Sequence, residues 1–212
     1  MTGLATNTGC VFLVDDDANI RSSLARALGL RGYEVKAFES AQAFLDAYDG
    51  ESSGCLILDY GMPEMDGLQL QRHLVDRNIA IPIIFITGHG GVPESVQAMK
   101  MGAMDFLEKP FQQAVLIERI DAALAYDQTR RAATQKTDAV KARFDSLTSR
   151  EAEIARLIVS NPASNSSKDI ARMLDISPRT VDHHRARILE KMDVGSVAQL
   201  VELALKAEVF TD

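Results

Sequence analysis

The residues of this chain that are best suited to chemistry lie just beyond short apolar runs in its first half. The runs at 10–14, 55–58, 82–86 and 104–107 have the length and composition of buried strands. Polar or charged residues follow them, in chain order Asp15, Asp16, Asp17, Asp59, Thr87 and Lys109. Because the carboxyl ends of parallel strands meet at one edge of a sheet, we expect these side chains to lie together.

Several carboxylates on one rim repel one another and favour a hard divalent cation such as Mg2+, which prefers oxygen ligands. A cation there neutralises an incoming phosphoryl group, whose transfer depends mainly on positioning and charge stabilisation. The set therefore predicts a phosphorylation site in which Asp59 is the acceptor and Asp15, Asp16 and Asp59 bind the metal. Thr87 and Lys109 then contact the phosphoryl oxygens. Taken singly, Thr87 is better explained as an ordinary strand-end residue and Lys109 as a solvated surface charge. Five such residues at one end of one sheet favour the site.

These residues need a parallel sheet to bring them together, and residues 1–126 have the pattern of one. Five strand-like runs, including 33–38, alternate with helical stretches, which is typical of an α/β sheet covered on both faces. Asp17, Ser40 and Asp66 are predicted helix N-caps. Residues 127–145 follow as a linker; their composition favours a helix, and a flexible segment is the alternative.

Residues 146–212 form a second, all-α domain in this interpretation, with helices predicted at 149–160, 167–174, 178–191 and 196–207. Ser177 and Pro178 suit the N-cap and the first position of the third helix. That helix has Val181 and Ile188 on an apolar side and a polar, cationic side opposite. A tight turn followed by such a capped helix predicts a helix-turn-helix unit that binds double-stranded DNA.

The charge and composition of the chain are compatible with both domains. Residues 1–126 hold 9 basic and 17 acidic side chains, whereas residues 127–212 hold 14 and 13. The first part would repel DNA and the second need not. Cys10 and Cys55 are expected to be buried free thiols. No apolar run reaches membrane-spanning length and no secretion signal is visible, so a cytoplasmic protein without membrane contact is expected.

The motifs VDDD (14–17), LDYGMPEMDG (58–67), ITGHG (86–90) and AMKMGAMDFLEKPF (98–111) resemble the receiver domains of two-component response regulators. The resemblance implies a CheY-like (flavodoxin-like) fold in which Asp59 takes a phosphoryl group from a phosphohistidine of a sensor histidine kinase. It implies a cis Lys109–Pro110 bond and a switch in which Phe106 fills space vacated by Thr87. It also implies a homodimer on phosphorylation through residues 92–107, with candidate contacts at Met99, Lys100, Met101 and Asp105.

The segments LTSREAEI (147–154) and KDIARMLDISPRTVDHHRARILEKMDV (168–194) resemble LuxR-type DNA-binding domains. Together with the receiver they resemble the NarL/FixJ family, and FixJ-like members most closely. The resemblance implies promoter binding and regulated transcription, with activation the favoured outcome and contact with RNA polymerase left open. By position, base edges face Asp182, His183 and Ala186, and the remaining DNA contacts are Arg179, Thr180, His184, Arg187 and Lys191. Two departures are a longer loop at 161–167 and Asp182 in place of the usual Lys or Glu.

The same residues leave other functions as alternatives. A phosphatase of the haloacid dehalogenase type could use Asp15 and Asp17, but it requires Thr or Val where this chain has Asn19. A regulator that ignores phosphate, or a receiver that acts only as an interaction module, are further alternatives. His183 and His184 lack an evident third zinc ligand, and the glycines at 88–91 lack the lysine of a P-loop.

Overall fold

The computed structural model describes residues 9–88, 92–161 and 166–210, without the side chains of 92 and 94. The chain divides into two compact units, Met1–Arg131 and Ala132–Asp212, which are described separately. The predicted motif residues 89–91 and most of the predicted long loop, 162–165, lie outside the described part.

The first unit is a parallel sheet with the strand order β2-β1-β3-β4-β5. Its strands are β1 (Cys10–Val14), β2 (Glu34–Phe38), β3 (Gly54–Asp59), β4 (Ile83–Thr87) and β5 (Asp105–Glu108). Its helices are α1 (Ala18–Gly29), α2 (Ala41–Ala47), α3 (Gly67–Asp76), α4 (Val92–Lys100) and α5 (Gln113–Asp145). The predicted five-stranded parallel α/β fold is confirmed.

The two faces of this sheet carry separate apolar cores, as the strand composition predicts. Phe12, Leu56 and Phe85 belong to one core, whereas Val11, Ile57 and Ile84 belong to the other. Successive residues of a strand point to opposite faces, so both sets of side chains are needed to fill the layers. Every residue of β1, β3 and β4 is buried, which explains why these strands are continuous apolar runs.

Local signals fix the starts of the helices around the sheet. Asp17, Ser40 and Asp66 are the N-caps of α1, α2 and α3, as predicted. The start of α3 lies against the end of β3: a Cβ on Gly67 would stand 2.6 Å from the carbonyl oxygen of Asp59. Glycine at this position therefore lets the helix approach the strand that ends in Asp59.

The long helix α5 contains the whole predicted linker 127–145, and both ends of that segment are packed. Asp127 is fully buried in the first unit, where its carboxylate accepts hydrogen bonds from Gly54 N–H (3.0 Å) and the Ser53 hydroxyl (2.9 Å). Phe144 is buried in the core of the second unit. Composition predicts a helical linker here, and in the structure a buried acid, Asp127, and one buried aromatic ring, Phe144, anchor its two ends.

The second unit adds α6 (Ser149–Ser160), α7 (Ser167–Leu174), α8 (Pro178–Met192) and α9 (Val197–Lys206) to the end of α5. Its core includes Ile154, Ile170, Val181, Ile188 and Leu200. Ser177 caps α8 and Pro178 occupies its first turn, as predicted. Asp175 ends α7 in the left-handed conformation (φ 51°), which makes the tight turn between α7 and α8.

Two smaller expectations concern cysteines and membranes. Cys10 and Cys55 are buried and free, as predicted, and burial raises the pKa of both thiols. Within the described residues, every helix is too short or too polar to cross a membrane.

Candidate functional site

Three of the predicted site residues meet at the carboxyl edge of the sheet. The Lys109 ammonium lies 2.9 Å from Oδ2 of Asp15 and 2.7 Å from Oδ1 of Asp59. The two carboxylates are 0% and 7% exposed, while the lysine is half-buried. One cation therefore bridges two acids that come from the ends of different strands, and it balances only part of their negative charge.

The sheet register explains why these distant residues converge. Val14 pairs with Leu58 in the β1–β3 ladder, so Asp15 and Asp59 are the next residues along two neighbouring strands. Lys109 follows β5, and its N–H donates to the Thr87 carbonyl at 2.6 Å. The Lys109–Pro110 bond is cis, as the resemblance implied.

Burial and the shared lysine set the ionisation of this pocket. Burial raises the pKa of Asp15 because a desolvated carboxylate is disfavoured, although Lys109 acts in the opposite direction. Burial alone would lower the pKa of Lys109, but its hydrogen bonds to Asp59 and Asp15 outweigh that effect and raise it. The lysine is therefore held as a cation, and the carboxylates favour any further positive charge placed beside them.

The donor set fits a magnesium ion in its chemistry, and the three predicted ligands differ in their exposure. Asp15 and Asp59 present carboxylate oxygens, and Asp59 Oδ2 also accepts from Gly61 N–H at 2.8 Å. Asp16 is exposed on the following loop, and Asp17 is committed to capping α1. In the part of the chain that is described, no three acidic, histidine or cysteine side chains form a ligand cluster. Two buried carboxylates suit a cation that keeps several waters.

The predicted switch residues flank the same pocket. Thr87 is 2% exposed at the end of β4. Phe106 is half-buried on β5, with its ring centroid 6.1 Å from Phe85 and 6.4 Å from Tyr60. Tyr60 was not among the predicted residues. Its position in the sequence, directly after Asp59, could have indicated that it lies beside the pocket.

The predicted DNA-contacting residues lie on α8, and most of them are exposed. Arg179, Thr180, Asp182, His183 and Arg187 are exposed, whereas His184 is half-buried. The rings of the two histidines are 6.1 Å apart, and neither belongs to a cluster of three ligands in the described ranges.

Lys191, a predicted phosphate contact, already has a partner inside the unit. Its ammonium lies 2.6 Å from Oε2 of Glu151, a residue that is 1% exposed. Glu151 also accepts from the Thr148 N–H at 2.9 Å and forms a capping box with Thr148. The hydrogen bond from Lys191 and the two contacts of Thr148 lower the pKa of Glu151 to about 2.

Two contacts were not anticipated from the sequence. Glu151 was unassigned, although Thr148-Ser-Arg-Glu151 is the sequence signature of a capping box. The Ser167 hydroxyl donates to the carboxylate of Asp182, and Arg185 donates to the same hydroxyl at 3.1 Å. The sequence carries no signal for this second contact, because it joins two helices.

Comparison with known proteins agrees with both halves of this description. Residues 11–121 match the response regulator receiver domain family, and residues 145–204 match the LuxR family of bacterial regulatory proteins. The chain is 40% identical to the transcriptional regulatory protein FixJ of Bradyrhizobium diazoefficiens, over 98% of this chain and 100% of that protein. It is 44% identical to FixJ of Rhizobium meliloti, over 92% and 94%.

Among solved structures, the response regulator StyR is 41% identical and superposes with a TM-score of 0.83, covering 94% of this chain and 99% of StyR. A receiver and a LuxR-type domain in one chain identify a transcriptional regulator that works with a sensor kinase and DNA, and they exclude the phosphatase alternative. The chain belongs to the two-component response regulators of the NarL/FixJ family, in its FixJ-like group.

Proposed function

We propose that this response regulator is switched on by phosphorylation of Asp59 and then binds promoter DNA as a homodimer. The observation that carries the proposal is the Lys109 ammonium, which bridges Asp59 (2.7 Å) and Asp15 (2.9 Å) at the end of the sheet. A buried acid beside a fixed cation and a second acid is the arrangement that phosphoryl transfer to a carboxylate requires.

The donor is a phosphohistidine of a sensor histidine kinase. An oxygen of Asp59 attacks phosphorus, the phosphorus–nitrogen bond breaks, and an acyl phosphate forms. Lys109 stabilises the charge on the phosphoryl oxygens, and the Thr87 hydroxyl donates to one of them. Asp15, Asp16 and Asp59 are the residues that would hold Mg2+, which supplies further neutralisation of negative charge.

Thr87 and Phe106 transmit the effect of phosphorylation from the pocket to the surface of α4 and β5. When Thr87 moves towards the phosphoryl group, the Phe106 ring shifts into the space beside it, and the surface of α4 and β5 changes. This surface offers apolar contacts for a second copy, since Val96 and Met99 are 44% and 47% exposed. The same surface includes the other candidate contacts, Lys100, Met101 and Asp105. The Asp105 carboxylate pairs with Arg119 at 2.6 Å.

The output is DNA binding by α8, whose exposed face enters the major groove. Asp182, His183 and Ala186 face base edges, and the phosphate contacts are Arg179, Thr180, His184 and Arg187. Lys191 adds to these only by sharing its ammonium with Glu151. Two copies fit half-sites about one helical turn apart. Bound at a promoter, the dimer activates transcription through contact with RNA polymerase.

The test compares DNA affinity before and after treatment with acetyl phosphate and Mg2+. A duplex is first selected from a random-sequence library with the treated protein, and its affinity is then measured by fluorescence anisotropy. The variants are Asp59→Asn and, as a matched control, Asp76→Asn, which removes an exposed acid of α3. Sedimentation of each sample reports the oligomeric state.

We expect treatment to tighten binding by about tenfold or more in the wild type and in Asp76→Asn, together with dimer formation. Asp59→Asn should bind weakly with and without the donor. Equal affinity in all treated and untreated samples would reject the switch while leaving DNA binding intact. Dimer formation without an acid-labile adduct on Asp59 would reject the assignment of the acceptor.

A further inference from the structure

The side chain of Asp182 on the exposed face of α8 is held by a neighbour on α7. The Ser167 hydroxyl donates to Oδ1 of Asp182, and Arg185 Nη1 donates to the Ser167 oxygen at 3.1 Å. Ser167 and Arg185 are half-buried, whereas Asp182 is exposed. The carboxylate of Asp182 is therefore exposed to solvent but held by Ser167, which in turn is held by Arg185.

The hydroxyl of Ser167 is not used to start its own helix. The N-cap of α7 is Ser166, whose side chain accepts from the Asp169 N–H at 3.2 Å. Ser167, at the first helical position, directs its oxygen to α8 instead. The two adjacent serines thus have separate tasks, one local to α7 and one between helices.

The direction of these hydrogen bonds fixes what Asp182 presents to a ligand. Because a carboxylate oxygen only accepts, the proton of Ser167 is directed to Oδ1, and the serine oxygen accepts from Arg185. Over residues 9–88, 92–161 and 166–210, the structure assigns no hydrogen-bond donor to Oδ2 of Asp182. The outward atom is therefore an acceptor with a fixed position, on the helix face that DNA would meet.

We propose that Ser167 is a positioning residue that makes Asp182 a reader of a cytosine amino group, an inference that rests on the proposed DNA-binding function. Cytosine offers the N4 amino donor in the major groove, whereas adenine places its N7 acceptor beside its amino group. A carboxylate gains a hydrogen bond from the first and is repelled by the N7 of the second. Arg185 provides positive charge near the carboxylate through its hydrogen bond to Ser167.

The proposal predicts a reversal of base preference in Asp182→Asn. In this variant Ser167 and Arg185 are unchanged, so the Ser167 hydroxyl still donates to an oxygen atom at position 182. The amide carbonyl then faces Ser167, and the amide NH2 faces outward. The outward group changes from acceptor to donor. A base with a major-groove acceptor, which is guanine (O6 and N7), thymine (O4) or adenine (N7), should then replace cytosine at that position of each half-site.

The experiment selects duplexes from a random-sequence library with the phosphorylated full chain and counts the bases at each position of the half-site. Wild type, Ser167→Ala, Asp182→Asn and the double variant of these two are compared. Ser166→Ala is the matched control, because it removes the neighbouring hydroxyl and the helix cap but leaves Ser167 in place. Thermal melting of each variant separates loss of folding from loss of selectivity.

We expect cytosine at one half-site position in the wild type, and a preference lowered by about tenfold in Ser167→Ala. Asp182→Asn should select guanine, thymine or adenine there in place of cytosine, and the double variant should lose this reversal because its amide is free to rotate. Ser166→Ala should melt at a lower temperature yet keep the wild-type preference.

Two results would overturn the proposal: a Ser167→Ala preference equal to that of the wild type, or a reversal that survives in the double variant. Either leaves DNA binding and the proposed function standing. Failure of the wild type to bind any duplex would instead contradict the proposed function itself.

Discussion

The ion pair between Glu151 and Lys191 gives a quantitative prediction for the stability of the second unit. Glu151 is 1% exposed and accepts from both Lys191 (2.6 Å) and the Thr148 N–H (2.9 Å). Substitution of Lys191 by Met removes the charge partner and leaves a buried carboxylate with only its capping contact. Such a change destabilises a fold because the remaining charge is uncompensated.

The size of the effect follows from the ionisation of Glu151. Its pKa falls to about 2, chiefly through the hydrogen bond from Lys191. The ordinary value is about 4.3 and each unit corresponds to roughly 1.4 kcal/mol, which gives an upper bound of roughly 3 kcal/mol. The Lys191 side chain is 35% exposed, so solvent screens the pair. We therefore expect Lys191→Met to lower the free energy of unfolding by about 1–2 kcal/mol near neutral pH.

The pH dependence has a definite sign. Because the pKa of Glu151 is lower in the folded chain, its stabilisation is complete above the unfolded value and is lost as the pH falls through the folded one. Between roughly pH 6 and roughly pH 4, the wild type should lose about 0.6 kcal/mol from this group. Lys191→Met lacks this pH-dependent stabilisation. The difference in the free energy of unfolding between the wild type and the variant should therefore become smaller as the pH falls.

The assay is urea unfolding read by hydrogen exchange in peptides from α6 and α8, which reports on the second unit alone. Lys206→Met is the matched control: it breaks an ion pair with Glu202 on α9 at 2.7 Å, close to the 2.6 Å of the buried pair, but both of its side chains are largely exposed. The control should unfold at nearly the wild-type urea concentration. If Lys191→Met behaves like the control, or if its gap to the wild type widens on acidification, the reasoning from burial is wrong.

Three further predictions concern other parts of the chain. Gly67→Ala should destabilise the first unit by about 1–3 kcal/mol in urea unfolding, because its Cβ would meet the Asp59 carbonyl at 2.6 Å; Gly29→Ala, which meets nothing within 4 Å, should not. Burial would raise the pKa of Asp127, but the hydrogen bonds from Arg130 and Arg131 outweigh burial and lower it. Asp127→Asn should therefore lower the melting temperature near neutral pH, and this decrease should become smaller as the pH falls below about 4. Arg187→Gln should reduce the salt dependence of DNA binding by a slope of about 0.9 and leave the selected sequence unchanged; a changed sequence would place Arg187 on a base.

Much of this protein could be predicted from its sequence because the relevant signals are local. The apolar runs predicted all five strands. Asp17, Asp66 and Ser177 predicted helix starts, because an N-cap side chain accepts a hydrogen bond from a backbone N–H within the next three positions. The convergence of Asp59 and Lys109 also followed, since parallel strands place their carboxyl ends at one edge. Motif resemblance then supplied the cis Lys109–Pro110 bond, which the structure contains.

Contacts between helices were decided only by the tertiary structure. Asp15 and Asp16 are adjacent in the sequence, but because β1 ends at Val14 the following turn leaves Asp15 buried and Asp16 exposed, a difference that only the fold shows. The resemblance assigned Lys191 to a DNA contact by position, and the packing of α8 on α6 additionally brings its ammonium to Glu151. Periodicity identifies the face of a helix on which a side chain lies, but the crossing of two helices determines which atom it meets. For that reason the support of Asp182 by Ser167 emerged from the fold and not from the sequence.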